Sequence, residues 1–279
     1  HWRIRLREAV ANPLPLSRDS GIIACMTTQP SAYLFDLDGV FYNDTQPIPG
    51  GPTIIAQARA RGVPFRFVTN TTSKGRAALA RKLQSFGIEV DVHEIFQPAV
   101  AAAQFLIDHD ASSVCFVTDD SRGEFSAVRE DTHQPDYVVL GDLGDAWTYA
   151  HLNHALRYLL NGAQLIALGM SRYWYADDGP RLDVGPIASA LAYASGRPPI
   201  VLGKPAAAFF HLAARDLNVD PAHCVMVGDD IVTDIGGAQS AGMRGILVRT
   251  GKFRPDDLAG PVKPDAIMDS IADLRIDTA

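Results

Sequence analysis

From residue 32 onward, short apolar runs alternate with longer amphipathic stretches. Ala32-Tyr33-Leu34-Phe35 has the length of a buried strand and stops abruptly at Asp36-Leu37-Asp38-Gly39. A helix is expected over Thr53–Arg61, after Pro52, and a second strand over Pro64–Val68, ending in Thr69-Asn70-Thr71-Thr72-Ser73. The next stretch, Lys74–Ser85, spaces Ala77, Leu79, Ala80 and Leu83 for one buried helical face, with Gly87 as its stop signal. Downstream, Cys224–Val227 reads as a third strand ending in Gly228-Asp229-Asp230, followed by a helix over Asp234–Ala241 and a fourth strand over Gly245–Val248. Regular alternation of this kind predicts an α/β fold built on a doubly wound parallel sheet, and such sheets bind ligands beyond the carboxyl ends of their strands. Polar residues stand at that edge after three of these strands.

The middle of the chain has elements of its own. Val114–Val117, Tyr137–Leu140 and Leu165–Leu168 read as strands, and Trp147–Leu160 and Pro186–Ser195 as helices. Structureless connections longer than about 15 residues are uncommon, so residues 99–199 are expected to form an inserted α/β domain. Residues 26–98 and 200–279 would then make one core, with Pro98 and Pro198-Pro199 as hinges. The first 25 residues carry Arg3, Arg5, Arg7 and Arg18 and the Pro13-Leu14-Pro15 segment. The apolar stretch before Cys25, Gly21–Ala24, is shorter than the ~7–15 residues of a signal core. Residues 1–25 are therefore expected to be a disordered extension ahead of a natural start at Met26.

Composition narrows the function. The chain has 279 residues, 47% hydrophobic and 20% charged, as an ordinary globular protein has. A net charge of −7 argues against a nucleic-acid partner, which needs a basic face. The apolar runs fall well short of the ~20 residues that cross a bilayer, so no membrane partner is expected. Cysteine occurs 3 times, widely spaced, which encodes no disulfide framework and fits a cytoplasmic location. Neither a GxxxxGK[ST] loop nor a strand-linked GxGxxG is present, leaving P-loop and dinucleotide chemistry unsupported. His151 and His154 have helical spacing but no third ligand to make a zinc site, which suits surface or interface histidines.

The strand ends hold the candidate chemistry. Asp36 and Asp38, two apart on an extended backbone, would face the same side and repel unless a cation or proton relieves them. An Asp-Gly turn explains the same letters. Asp229, Asp230 and Asp234, together with Asp36, supply the hard oxygen ligands that Mg²⁺ prefers, although Asp is also a common helix cap. Thr69 and Asn70 precede a helix and can offer a hydroxyl and backbone N–H groups to an oxyanion, while Thr72 or Ser73 can serve as caps. Lys204, in Leu202-Gly203-Lys204-Pro205, is the only basic residue between Arg197 and Arg215, and a lone lysine is more often a solvated charge.

In this order, Asp-x-Asp, Thr-Asn, Gly-Lys-Pro and Gly-Asp-Asp-x4-Asp resemble the four motifs of the haloacid dehalogenase (HAD) superfamily, over Met26 to about Ile276. The insertion resembles the larger α/β cap, the C2 type of subfamily IIA, found in bacterial nucleotidases and pyridoxal phosphatases. Leu182-Asp183-Val184-Gly185-Pro186, Gly228-Asp229-Asp230-Ile231-Val232, Gly236-Gly237-Ala238-Gln239 and Val248–Pro255 are similar to the family of phospholysine phosphohistidine inorganic pyrophosphate phosphatases. In that family the second acidic position of the first motif is a serine, whereas Asp38 stands here, so the substrate does not carry across.

The resemblance implies a Rossmann-like core and a Mg²⁺-dependent phosphatase that hydrolyses a small phosphorylated compound through an aspartyl-phosphate. Asp36 would be the nucleophile and Asp38 the acid–base group, its backbone carbonyl also meeting the metal. Thr69, Asn70 and Lys204 would bind the phosphoryl group. Asp229 would hold Mg²⁺ along with Asp36, Asp234 would hold the metal's waters or Lys204, and Asp230 would ligate or orient. A phosphomutase, a dehalogenase and a phosphate-binding signalling protein are the alternatives. Asp38 speaks against halide displacement, which protonates no leaving alkoxide, and the insertion speaks against a one-domain receiver. Arg172, Tyr173, Trp174 and Asp177, with Asp183, are expected to meet the leaving group, although a strand and turn explain these letters too. A homodimer through the cap is a further expectation from the family.

Overall fold

The computed structural model describes residues 30–176 and 178–276. The 1–25 extension, Met26 and Asp177 lie outside the described residues. The chain runs β1 (Ala32–Asp36), α1 (Gly51–Ala60), β2 (Phe65–Val68), α2 (Arg76–Ser85), β3 (Ile95–Phe96) and α3 (Pro98–Asp108). It continues through β4 (Ser112–Phe116), β5 (Arg129–Glu130), β6 (Tyr137–Leu140), α4 (Tyr149–Leu160), β7 (Gln164–Ala167), α5 (Val184–Ser195) and β8 (Ile200–Val201). It closes with α6 (Ala207–Asp216), β9 (Cys224–Gly228), β10 (Arg244–Val248) and β11 (Ala266–Met268).

Two parallel sheets result. The first has strand order β11-β10-β9-β1-β2-β3 and the second β8-β7-β6-β4-β5. β1 pairs with β9 on one side and β2 on the other, so the winding direction reverses at the β1/β9 boundary, where a doubly wound sheet opens its ligand crevice. All five β1 residues are buried because helices cover both faces. Ala32 and Leu34 face a cluster that includes Phe209 and Ala213 of α6 and the alanines of α3. Tyr33 and Phe35 face the opposite cluster, with Ile54 and Ile55 of α1 and Leu79 and Leu83 of α2. These two clusters are the period-2 alternation of the strand made physical.

In the second sheet, α4 and α5 cover one face through Ala155, Leu159, Ala188 and Leu191. The other face meets α3, whose Ala102 and Leu106 share one buried cluster with Val139 and Ile166 of this sheet and Met226 of the first. Helix α3 is thus wedged between the sheets, which explains its run of buried alanines, while Gln104, Ile107 and Asp108 mark its less covered side. The polar contacts between the two halves centre on the Thr69–Arg76 segment. Ser121, fully buried, donates from Oγ to the Thr72 carbonyl at 3.0 Å. Arg76 makes a bidentate pair with Glu124, at 2.8 and 2.5 Å. Cys115 and Cys224 are free thiols, and among the described residues no helix is long and apolar enough to cross a membrane.

Candidate active site

The carboxyl ends of β1, β2 and β9 and the segment after β8 converge on one buried cluster. Asp36 closes β1, Lys204 follows β8, and Asp234 sits in a wide π-type turn, Ile231–Gly236, after β9. Lys204 Nζ donates to Asp36 Oδ1 at 2.6 Å and to Asp234 Oδ1 at 2.7 Å. All three residues are buried, with 5%, 6% and 0% exposure for Lys204, Asp36 and Asp234, so the ammonium lives between carboxylates and not in water. Burial alone would strip its proton. The charges of Asp234 and Asp36 outweigh that and hold the ammonium above its ordinary range. Lys204, which as a lone lysine reads more often as a solvated charge, is a core residue here.

Asn70 fixes this lysine. Its Nδ2 donates to the Lys204 carbonyl at 2.8 Å and its Oδ1 accepts from the Lys204 N–H at 2.8 Å, a two-point clamp on the backbone. One N–H of the Asn70 amide is thus spent on Lys204, and its second N–H stays available to an anion together with the backbone N–H groups and hydroxyls of this segment. Thr69 Oγ1 lies 3.1 Å from Thr71 Oγ1 and accepts from the Thr71 N–H at 3.2 Å.

Asp229 is the third acid. With Asp36 and Asp234 it offers oxygens that all lie within 4.8 Å of one another. Its Oδ2 accepts from the Lys252 N–H at 2.7 Å, while Oδ1 is buried with no partner. Burial first, then the charges of Asp36 and Asp234, pushes its carboxyl well above the usual range, and burial with Asp36 raises Asp234 as well. An orphaned buried oxygen among mutually repelling acids is the donor set a hard cation satisfies. This all-carboxylate chemistry fits a hard cation such as Mg²⁺ and would poorly suit a soft metal.

Backbone shape makes room for this. Gly39 (φ 84°) and Gly251 (φ 65°) both turn in the left-handed region, and a Cβ on either would overlap Asp229 Oδ2. The Thr250 hydroxyl donates to the Gly39 carbonyl and ties the two turns together. Asp234 is aimed back into the site because the π-type turn widens the first coil, its Oδ2 accepting from the Asp230 N–H at 3.2 Å.

Two expected residues stand differently. Asp230 does not join the carboxylate cluster: its Oδ1 caps the turn, accepting from the N–H groups of Val232 (3.0 Å) and Thr233 (2.9 Å). Asp38 is exposed and outside the acidic trio. The phenol of Tyr42 is driven upward by burial, above all, and by the charges of Asp38 and Asp36. Lys252, Thr250, Gly251, Gly39 and Tyr42 are site residues that pattern alone assigned no role. For Thr250, Gly251 and Lys252 the signal is Arg-Thr-Gly-Lys after the apolar strand β10, another strand end carrying polar residues.

Between β7 and α5 the chain forms a separate two-stranded antiparallel hairpin, Tyr173–Ala176 with Gly179–Leu182. Arg172 is exposed, as are Tyr173 and Trp174. Arg181 pairs with Asp178 at 2.8 Å and with Asp145 at 3.4 Å. Asp183 caps α5, its Oδ1 accepting from the Val184 N–H at 2.7 Å. Gly203 leaves space for the Leu168 carbonyl beyond β7 beside Asn70 Oδ1, which brings the end of the second sheet against the carboxyl edge of the first.

This geometry agrees with the comparisons. A haloacid dehalogenase-like hydrolase model matches residues 33–129 and a related HAD-like hydrolase model matches residues 201–274. The human phospholysine phosphohistidine inorganic pyrophosphate phosphatase is 39% identical over 247 residues, covering 86% of this chain and 91% of the relative. The chain belongs to the HAD-like hydrolase family. A second relative, the rat haloacid dehalogenase-like hydrolase domain-containing protein 2, is 38% identical and covers 81% of this chain and 86% of its own. Among solved structures, 4-nitrophenylphosphatase from Thermotoga maritima superposes with a TM-score of 0.80 at 28% identity, covering 89% of this chain and 98% of that one. In HAD terms, the two sheets are a Rossmann-like core and an α/β cap, as the strand-end motifs imply.

Proposed function

We propose that the chain is a Mg²⁺-dependent phosphatase of small phosphorylated compounds that works through an aspartyl-phosphate on Asp36. The observation that carries this reading is the buried Asp36 carboxylate held by Lys204 beside an acid, Asp229, with an unpartnered oxygen. The phosphatases among the relatives support the reaction class, and the name of the human relative supports phosphoamino acids and pyrophosphate as substrates.

In this reading Asp36 attacks phosphorus as the bond to the leaving oxygen breaks, and Asp38 gives that oxygen its proton. Asp38 then takes a proton from water as the water oxygen attacks phosphorus and the bond to Asp36 breaks. General acid–base help of this kind contributes about 10²–10⁴-fold. Lys204 Nζ and Thr69 Oγ1, with backbone N–H groups after β2, hold the phosphoryl oxygens that carry the charge. Asp36 and Asp229, with Asp234 and the Asp38 carbonyl, would hold Mg²⁺, which supplies positive charge against the phosphoryl group when bound. An exposed carboxylate at position 38 favours phosphatase over dehalogenase chemistry.

Residues 26–98 and 200–279 act as the catalytic core and 99–199 as the cap, whose 173–182 hairpin meets the leaving group. The exposed Tyr149, Leu160 and Tyr193 on the cap helices support a homodimer through that face, and the free thiols support a reducing cytoplasm. The test is phosphate release from p-nitrophenyl phosphate, pyrophosphate, phosphohistidine and pyridoxal phosphate, with and without Mg²⁺. Release that needs Mg²⁺ and disappears in Asp36→Asn supports the reading. A folded, Mg²⁺-binding chain that releases nothing overturns it.

A further inference from the structure

Asp229 presents one free oxygen to the site and not two. Its Oδ2 is engaged by the Lys252 N–H at 2.7 Å, in the turn after β10, while its buried Oδ1 has no partner. The turn that supplies this donor is held from both sides. On one side the Thr250 hydroxyl donates to the Gly39 carbonyl, and Gly251 lies so close that a Cβ on it would stand 2.6 Å from the Gly39 Cα. On the other side the Lys252 ammonium comes within 3.7 Å of Asp230 Oδ2. The Asp230 N–H in turn donates to Asp234 Oδ2 at 3.2 Å. Thr250-Gly251-Lys252 therefore joins the turn after β1 to the turn after β9, the two segments that follow Asp36 and carry Asp229 and Asp234.

Such a clasp limits how many carboxylate oxygens can reach a cation. Asp234 has both oxygens engaged, Oδ1 by Lys204 and Oδ2 by the Asp230 N–H, and Asp36 Oδ1 also takes Lys204. For Asp229 to offer its second oxygen it must break the bond to the Lys252 N–H and leave that donor without a partner, which costs about 1–3 kcal/mol for a buried group. It must also turn against Gly39 and Gly251, where even an added Cβ would overlap Oδ2. The two common hard cations respond differently to this restriction. Mg²⁺ demands near-ideal octahedral geometry at about 2.0–2.1 Å, keeps several waters and needs few carboxylate oxygens. Ca²⁺ takes roughly 6–8 oxygens at about 2.3–2.6 Å and uses carboxylates in the bidentate mode as well.

We propose that the Thr250-Gly251-Lys252 turn is the selectivity element of the cation site: by holding Asp229 Oδ2 it leaves a single oxygen of that carboxylate and so favours Mg²⁺ over the larger Ca²⁺. The inference rests on the reading of Asp229 as a holder of the cation. It concerns which oxygens are free, so a backbone donor, and not the charge of the Lys252 side chain, sets the preference.

The experiment titrates the full chain, free of metal and substrate, with Mg²⁺ alone and with Ca²⁺ alone by isothermal titration calorimetry, with thermal unfolding to confirm folding. Lys252→Pro removes the backbone donor, Thr250→Val removes the tie to Gly39 at nearly constant shape, and Lys252→Gln keeps the donor while removing the charge. The wild type is expected to bind Mg²⁺ more tightly than Ca²⁺. Lys252→Pro is expected to lower the ratio of the Ca²⁺ Kd to the Mg²⁺ Kd at least about ten-fold, the scale of one hydrogen bond to a charged group, and Thr250→Val to lower it less. Lys252→Gln is expected to change both affinities together and leave the ratio as it was. An unchanged ratio in Lys252→Pro overturns the inference, and if that variant does not fold, an unchanged ratio in Thr250→Val does so. A wild type that binds Ca²⁺ as tightly as Mg²⁺ overturns it too, as does a Lys252→Gln shift as large as that of Lys252→Pro. Failure of the underlying reading looks different: Asp229→Asn would then bind both cations as the wild type does.

Discussion

Replacing Asp229 with Asn is expected to make the metal-free protein more stable while destroying its response to Mg²⁺. Asp229 is 1% exposed, and its carboxylate shares a space of 4.8 Å with those of Asp36 and Asp234. At an effective dielectric of about 20, two charges at that distance repel by about 3.5 kcal/mol. Lys204 offsets part of the charge on the two neighbours, which leaves a relief of about 2–3 kcal/mol on neutralising Asp229. The amide keeps the acceptor for the Lys252 N–H and turns a donor toward the remaining carboxylates. In a chain of this size that corresponds to a rise of roughly 3–6 °C in Tm. The sign with pH follows from linkage. Burial and the neighbouring charges push the native carboxyl up to about 8, well above the ordinary range in which the unfolded chain releases its proton, so this group makes the wild type less stable as pH rises through that window. The gain from Asp229→Asn is therefore large at pH 8 and small at pH 5. Thermal unfolding in EDTA at both pH values, repeated in Mg²⁺, reads all of this, since a cation at 100 times its Kd adds about 2.7 kcal/mol. A variant less stable than wild type in EDTA at pH 8, or one that Mg²⁺ stabilises as much as wild type, would refute the reasoning.

Asn70→Ala removes both bonds to the Lys204 backbone and is expected to lower kcat about 100-fold, in line with the cost of misplacing a catalytic group by 1 Å, while steady-state Mg²⁺ dependence stays unchanged. Gly39→Ala forces a side chain into the left-handed region and onto Asp229, so the Mg²⁺ concentration for half-maximal activity is expected to rise at least about ten-fold, as titration of the rate would show. Arg76→Ala breaks the bidentate pair between core and cap and is expected to cost about 1.5–3 kcal/mol in urea unfolding, with Glu124→Ala non-additive in a double-mutant cycle.

Much of the strand-end cluster was legible because its residues sit directly after apolar strands, where position along the chain and position in space coincide. Asp36, Thr69, Asn70 and Asp229 are of this kind. The role of Asn70 was not legible, since a clamp on a backbone 134 residues away is visible only once β2 and the segment after β8 are neighbours. Asp230 and Asp234 show the limit of composition: both follow one strand, yet the π-type turn sends one to the cap position and the other into the cluster. That turn also starts the helix at Ile231, three residues ahead of the expected Asp234. Helices α3 and α6 escaped the amphipathic pattern because α3 is buried against both sheets and α6 carries Phe209 and Phe210 side by side. Lys252 was hidden for another reason: its backbone N–H reaches Asp229 only through the left-handed Gly251.

The central claim is that Asp36 carries the phosphoryl group. The most direct measurement is to quench the enzyme during turnover of p-nitrophenyl phosphate with Mg²⁺, reduce with borohydride, and map the peptides by mass spectrometry. An acyl-phosphate on Asp36 is reduced to homoserine, so the account predicts homoserine at position 36 and unmodified aspartate at 38, 229 and 234. Homoserine at another aspartate, or none at all while phosphate is being released, would contradict it.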